Sequence, residues 1–181
     1  MPSPDDLQAI HRALANEPGA MDELARRYLP TVLSWSRRLG GPRVLADDIA
    51  HDAWMIVMRK IGSVRDPEAF ESWLYGIVRR VVAGHRRRAW FRRWVGGEVP
   101  DQPDPGSDPE DDARKAALAR RIATALEELK PHHREIIVLC DLEERADSEV
   151  SALLGVPKGT VKSRLRRARK ELRGHLEALG E

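Results

Sequence analysis

Residues 147–172 read DSEVSALLGVPKGTVKSRLRRARKEL. The spacing predicts a short helix capped by Asp147 and closed at Gly155, a residue that takes the left-handed cap conformation without strain. A turn of about four residues then leads into a second helix, which is helix-turn-helix spacing. In that second helix Val161, Leu165, Ala168, Leu172 and Leu176 recur on one face and should point inward. Its other faces carry Lys158, Lys162, Arg164, Arg166, Arg167, Arg169, Lys170 and Arg173, with Glu171 the only acid. A basic helix in this position can enter the DNA major groove with its N-terminal side chains nearest the base edges. Thr160, Ser163, Arg164 and Arg167 are then the residues expected at bases or phosphates. Lys158, Lys162, Arg166 and Lys170 are expected to hold the backbone. The plain alternative is a solvated helix on a small bundle.

The residues upstream supply the rest of such a bundle. Leu118, Ile122, Ala125, Leu126 and Leu129 mark one face of a helix over 116–129, which Lys130-Pro131 stops. A short helix over roughly 132–142 follows. It contains Cys140, the single cysteine, near His132 and His133. One cysteine excludes an internal disulfide framework and fits a reducing compartment. A small apolar residue in a helix is the ordinary reading of it.

The N-terminal half is also helical in period. Met21, Leu24, Ala25, Tyr28, Val32, Leu33 and Leu39 define a helix over 21–39, in which Pro30 should make a kink or a division. Gly40-Gly41-Pro42 ends it. A second helix runs from about Asp47 to Ile61, with Asp47 and Asp48 suited to its first turn. Its buried stripe would be Ile49, Ala53, Ile56, Val57 and Ile61. Asp66-Pro67-Glu68 opens a third helix as cap plus first-turn proline. Phe70, Trp73, Leu74, Ile77, Val78, Val81 and Val82 form its inward stripe. No segment alternates with period two, so no sheet is expected.

The third helix runs into Arg79–Trp94, RRVVAGHRRRAWFRRW, with seven arginines, three aromatics and no acid. Guanidinium groups suit phosphates and aromatic faces suit unpaired bases. A solvated helix end and a membrane-surface patch are the alternatives. Trp35 and Trp54 have no assigned place at this stage.

The 181 residues fit two small domains, and their formal charge is only +2. That balance hides a pattern. Residues 1–94 carry +5, residues 95–115 carry −5 and residues 116–181 carry +2. The acidic stretch VGGEVPDQPDPGSDPEDDARK is poor in large apolar residues and reads as a flexible linker between domains 1–94 and 116–181. The expected fold class is therefore all-α: two small helical domains, the second a helix-turn-helix of winged-helix-like or three- to four-helix form. No long apolar run and no basic-then-apolar N-terminus is present, so neither membrane insertion nor a signal peptide is expected. No glycine-rich phosphate loop or nucleophile–base arrangement is visible, and neither a small-molecule substrate nor a cofactor is expected. Asp47, Asp48 and Asp52 with His51 could in principle bind a divalent metal; a capped, solvated helix start is the plainer reading, and no metal is expected.

Three stretches carry a family resemblance. LADDIAHDAWMIVMRKI (45–61), FESWLYGIVRRVVAGHRRR (70–88) and REIIVLCDLEERADSEVSALLGVPKGTVKSRLRRARKEL (134–172) resemble the extracytoplasmic-function sigma factors of the sigma-70 family. The resemblance covers about residues 20–94 and 116–176. It implies a cytoplasmic transcription initiation factor that performs no catalysis of its own. The helix with Asp47, Asp48, His51, Asp52 and Met55 would dock on core RNA polymerase. Trp73, Arg79, Arg80, His85, Arg86, Arg87 and Arg88 would bind the melted −10 promoter element. The C-terminal helix-turn-helix would bind the −35 duplex, and an anti-sigma factor would be a further partner. The chain departs from the family's usual Gln at His51, Asn at Arg80 and Asp at Gly84. RRRAWFRRW (86–94) is longer and more aromatic than the resemblance implies. It would extend the DNA contact or pack against an inhibitor. A stand-alone helix-turn-helix regulator would need a dimer seam, and no heptad pattern supplies one. A nuclease using Asp48 and Asp52 is the remaining alternative.

Overall fold

The computed structural model describes residues 2–41, 44–94 and 111–179, the side chains of 92–94 and 111–116 excepted. The described residues form eight α-helices and no strand. They fall into two compact units, one holding residues 2–40 and 44–94, the other 41 and 111–179. Residues 95–110 of the expected linker lie outside the described residues. Residues 111–115, placed in the linker by composition, belong to a helix.

The first unit contains α1 (Pro4–Leu14), α2 (Ala20–Gly40), α3 (Ala46–Lys60) and α4 (Phe70–Trp94). Helix α1 begins with a reciprocal cap. The Asp6 N–H donates to Ser3 Oγ at 3.2 Å, and the Ser3 N–H donates to Asp6 Oδ2 at 3.1 Å. Pro30 does not divide α2, which runs as one helix of 21 residues. A mid-helix proline costs about 3 kcal/mol. Here Leu24, Tyr28, Val32, Trp35 and Leu39 are buried on both sides of it, and that packing outweighs the lost hydrogen bond. At the end of α2, a Cβ added to Gly40 would sit 2.9 Å from Ile49 Cδ1, so a larger residue would require the Ile49 side chain to shift.

Helix α4 is entered as expected. The Asp66 side chain accepts from the Glu68 N–H at 2.9 Å, and Pro67–Ala69 form a 3₁₀ turn before the α-helix. Its inward stripe includes Phe70, Leu74, Ile77, Val78 and Val82, all buried, while Trp73 and Val81 are only half-buried. Ile56 of α3 is likewise half-buried, and Trp54 takes the buried place nearby. Tyr75 is fully buried and meets Trp35 edge-on, with ring centroids 4.9 Å apart. Tyr28 meets Phe70 in the same way at 5.0 Å. Such pairs contribute about 0.5–1.5 kcal/mol beyond area burial.

The second unit contains α5 (Asp111–Glu128), α6 (Pro131–Ile137), α7 (Asp147–Leu154) and α8 (Lys158–Ala178). It has the four-helix form; with no strand among the described residues there is no β wing. Ala125, Leu126 and Leu129 are buried, but Leu118 is 55% exposed, two turns short of the packed end of α5. After α6 the chain continues as a π-helical turn, Val138–Leu142. Asp147 is the first residue of α7 rather than its cap. Ala146 is the cap, and its N–H donates to the Glu149 carboxylate at 2.9 Å. Gly155 closes α7 in the left-handed region, φ +64°. Only Gly155, Val156 and Pro157 separate the two helices of the helix-turn-helix. In α8, Val161 and Ala168 are buried, whereas Leu165, Leu172 and Leu176 are half-buried.

Candidate nucleic-acid interface

Helix α8 presents its cations in a row. Lys158, Lys162, Arg166 and Lys170 follow one another at four-residue spacing, which places them on one face. All four are exposed, as are Ser163 and Arg167, while Thr160 and Arg164 are half-buried. The Ser163 hydroxyl donates to the Thr160 carbonyl at 3.1 Å. Lys162 Nζ lies 3.9 Å from the Asp147 carboxylate, a loose surface pair. Arg169 is held more firmly. Its guanidinium makes a two-pronged bond to Asp141, at 3.0 and 2.6 Å, and so faces the fold. Glu171 bonds to His133 Nδ1. Burial would raise the Glu171 carboxyl, but hydrogen bonds from His133 and the Lys130 backbone outweigh it and hold it below the ordinary carboxylate value. The acids near α8 are therefore engaged with Arg169 and His133, and the Lys158 row faces outward with only the distant Asp147 beside it.

Helix α6 is tied to the end of α5 by Arg134, which is 3% exposed. Its guanidinium donates to the carbonyls of Leu126, Glu127 and Leu129 at the end of α5. The Leu126 carbonyl also accepts from the Leu129 N–H at 3.3 Å. Cys140, half-buried in the π turn, has its thiol pushed up to about 11 by burial and by the Asp141 and Asp147 carboxylates. It is a protonated thiol at neutral pH.

In the first unit the candidate −10 residues divide into two groups. Arg79, Arg80, Arg87 and Arg88 are exposed along α4. Trp73 is half-buried, its ring 5.7 Å from that of Phe70. His85 and Arg86 are half-buried and bond within the unit. His85 Nε2 lies 2.8 Å from Asp52 Oδ2, and Arg86 donates to the Gly40 carbonyl at 3.1 Å. Two residues expected in different interfaces, Asp52 and His85, are thus bonded to each other.

On α3, Asp47, Asp48 and His51 are exposed, and Met55 is 38% exposed. Leu45 and Met58 are exposed to a similar degree and were missed as members of this surface. The three-residue spacing of Met55 and Met58, off the buried stripe, was the available signal. Among the described residues no group of three or more His, Cys, Asp or Glu could hold a metal ion. No helix among them is long and apolar enough to cross a membrane.

Comparison with known proteins gives two family matches. Residues 24–92 match the model of sigma-70 region 2, and residues 119–172 match that of sigma-70 region 4. The chain is 31% identical to the ECF RNA polymerase sigma factor SigL of Mycobacterium tuberculosis, covering 96% of this chain and 98% of that one. It is 34% identical to the ECF RNA polymerase sigma factor SigE of Mycolicibacterium smegmatis over 86% of this chain, but spans only 61% of that relative. It likewise spans 60% of the sigma factor BldN of Streptomyces coelicolor, at 27% identity. Among solved structures, CnrH in complex with the cytosolic domain of CnrY is similar in fold. The TM-score is 0.67 at 24% identity, covering 96% of this chain and 97% of that one. The sigma factor RpoE in complex with the anti-sigma factor NepR from Bartonella quintana gives 0.63 at 21% identity, over 88% and 98% of the two chains.

Proposed function

This chain belongs to the ECF RNA polymerase sigma factor family, and we propose that it acts as a promoter-specificity subunit of RNA polymerase in the cytoplasm. One observation carries the reading: each helical unit presents a long basic helix with a row of exposed cations. Such surfaces favour a polyanion, and phosphate contacts supply most of the affinity for DNA. Helix α8 would take the −35 duplex. Arg164 and Arg167, with Thr160 and Ser163, would lie nearest the bases, while Lys158, Lys162, Arg166 and Lys170 hold phosphates.

Helix α4 would take the melted −10 element through Arg79, Arg80, Arg87, Arg88 and the open edge of Trp73. His85 and Arg86 act in this reading as positioning residues, because both are engaged inside the unit. The α3 surface, with Asp47, Asp48, His51 and Met55 joined by Leu45 and Met58, would dock on core polymerase. Asp52 would orient α4 through His85. Residues 1–94 are then the core-binding and −10 domain, 95–110 the tether and 111–181 the −35 domain. A tether makes two modest DNA contacts act as one stronger contact. Its acidic charge keeps it off the phosphates that the domains seek. The protein contributes binding and strand opening, with no catalysis, cofactor or small-molecule substrate of its own. An anti-sigma factor would restrain it.

The test is transcription by core polymerase reconstituted with the protein on genomic DNA, with sequencing of the transcript starts. Shared −35 and −10 elements upstream of the starts are expected, and the R164A/R167A double variant should lose most −35-dependent transcripts. Failure to bind core in a low-salt pull-down would overturn the reading.

A further inference from the structure

The sulfur atoms of the chain differ in exposure. Among the described residues they belong to Met21, Met55, Met58 and Cys140. Met21 of α2 and Cys140 of the π turn are half-buried, whereas Met55 and Met58 of α3 are exposed, at 38% and 44%. Three residues apart, the two thioethers lie about 60° from each other round the helix axis and about 4.5 Å along it. They share one face of α3 with Asp48, His51, Asp52 and Arg59, all exposed. Leu45, 41% exposed, marks the other edge of that face.

The chemistry of sulfur separates the pair from the other two. A thiol must become a thiolate before it reacts. Cys140 is half-buried, and burial pushes its thiol up to about 11, so it is protonated at neutral pH. A thioether has no proton to lose, and access alone limits its oxidation. The product is a sulfoxide, a polar hydrogen-bond acceptor in place of a flexible apolar tip. An interface that packs on a thioether offers that oxygen no donor. The Asp48 and Asp52 carboxylates on the same face are acceptors themselves. Burying one such group unmatched weakens an interface about tenfold.

We propose that Met55 and Met58 form a reversible oxidation site, at which conversion to the sulfoxides by a hydroperoxide switches off the α3 docking face. In each step a sulfur lone pair takes up one peroxide oxygen, forming the S–O bond as the O–O bond breaks. The sulfur is oxidised by two electrons and the peroxide is reduced. The departing oxygen leaves with its proton balance met, as water from hydrogen peroxide or as an alcohol from an organic one. The exposure that admits the oxidant also admits methionine sulfoxide reductases, so the change can be undone. The loss of docking rests on the proposed role of α3 as the core-polymerase surface; the ease of oxidation does not.

The experiment uses the full chain and hydrogen peroxide. Mass spectrometry of peptides locates the sulfoxides, and affinity for core polymerase is measured before and after treatment. Met55 and Met58 should oxidise well ahead of Met21. Core affinity should fall about tenfold or more, and methionine sulfoxide reductases A and B should restore it. The double variant M55L/M58L, compared with its own untreated sample, should lose no affinity on treatment. Met21→Leu and Cys140→Ser should lose as much as wild type. Oxidation of Met21 ahead of the pair, a fall in helical circular dichroism on treatment, or a loss that persists in the double variant would overturn the site. Bound core should also shield Met55 and Met58 from peroxide. If it shields them and the sulfoxide form binds as tightly as the thioether form, the oxidation site falls and docking through α3 stands. If core binds without shielding them, or does not bind, docking through α3 falls and the switch falls with it.

Discussion

All nine aromatic residues lie between Tyr28 and Trp94, and residues 100–181 contain none. The two units therefore hold their basic helices by different means. In the first, edge-on ring pairs and a broad apolar face fix α4. The buried polar residue there is Ser36, whose hydroxyl donates to the Val32 carbonyl at 2.7 Å. In the second, α8 fully buries only Val161 and Ala168. Its seat is completed by polar clasps, Asp141 on Arg169 and His133 on Glu171, with Arg134 tying α5 to α6. The difference has a functional side. On α4 the exposed arginines lie off the packed face, while His85 and Arg86 bond within the unit. On α8 the charged residues divide: Arg169 is tied to Asp141 at the surface of the unit, and the outward row is what remains.

The sharpest way to break this contrast is to remove a ring. Trp35→Ala deletes a fully buried indole and should cost about 3–5 kcal/mol. All five tryptophans lie in the first unit, so the urea midpoint of tryptophan fluorescence reads that unit alone. A loss below about 1 kcal/mol, the scale of an ordinary substitution, would show that the rings do not hold it.

The corresponding cut in the second unit is smaller. Arg134→Met keeps the apolar stem but removes the guanidinium donors to the carbonyls of Leu126, Glu127 and Leu129. Losing these charge-assisted hydrogen bonds should cost about 2–3 kcal/mol. Cys140 reports it. The thiol is half-buried with its pKa pushed up to about 11, so labelling is slow until the unit opens. The variant should label faster. Arg134→Lys should not rescue it, because an ammonium lacks the planar fork that reaches three acceptors. Unchanged labelling would mean that the clasp is dispensable.

How much of this contrast was legible in the sequence follows the range of each interaction. The α4 stripe was readable because its period is local. The helix-turn-helix was readable because Gly155 and Pro157 punctuate it. The Ser3–Asp6 cap of α1 was written in the sequence but not assigned, in a helix of only 11 residues. Of the two outcomes expected at Pro30, the division does not occur, because local propensity says nothing of the core around it. Leu118 misled because periodicity gives a face but not how far along the helix a neighbour packs. Trp35 and Tyr75 found their places only once α2 lay against α4. His85–Asp52 and His133–Glu171 join residues 33 and 38 positions apart, so no window of sequence displays them. Those pairs separate the candidate site residues that face outward from the ones that hold the fold.

The mildest probe of the contrast is acid. His132 is exposed, yet its pKa is lowered from the ordinary 6.5, by partial burial and by the charges of His133, Arg164 and Lys130. Glu171 is lowered from 4.5. For both groups the unfolded chain binds protons at a higher pH than the folded one, so folding is favoured above the unfolded value and that stability is lost as pH falls. The second unit should begin to weaken below about 6.5, the ordinary histidine value, and weaken again below 4.5 as Glu171 protonates and releases His133. In the first unit, Asp6 shows a net lowering from 3.8. Burial opposes it, and the bonds to Ser3 and Arg27 outweigh that, so its contribution is lost only in stronger acid. These exposed and half-exposed groups are screened by water, and the effect should be the smallest of the three. Hydrogen exchange resolved by segment should show α6 and α8 losing protection between pH 6.5 and 5, with α2 and α4 unchanged over the same range. His132→Gln should remove that first step. Equal loss in both units would place the acid sensitivity elsewhere and dissolve the contrast between a ring-packed and a clasp-held helix.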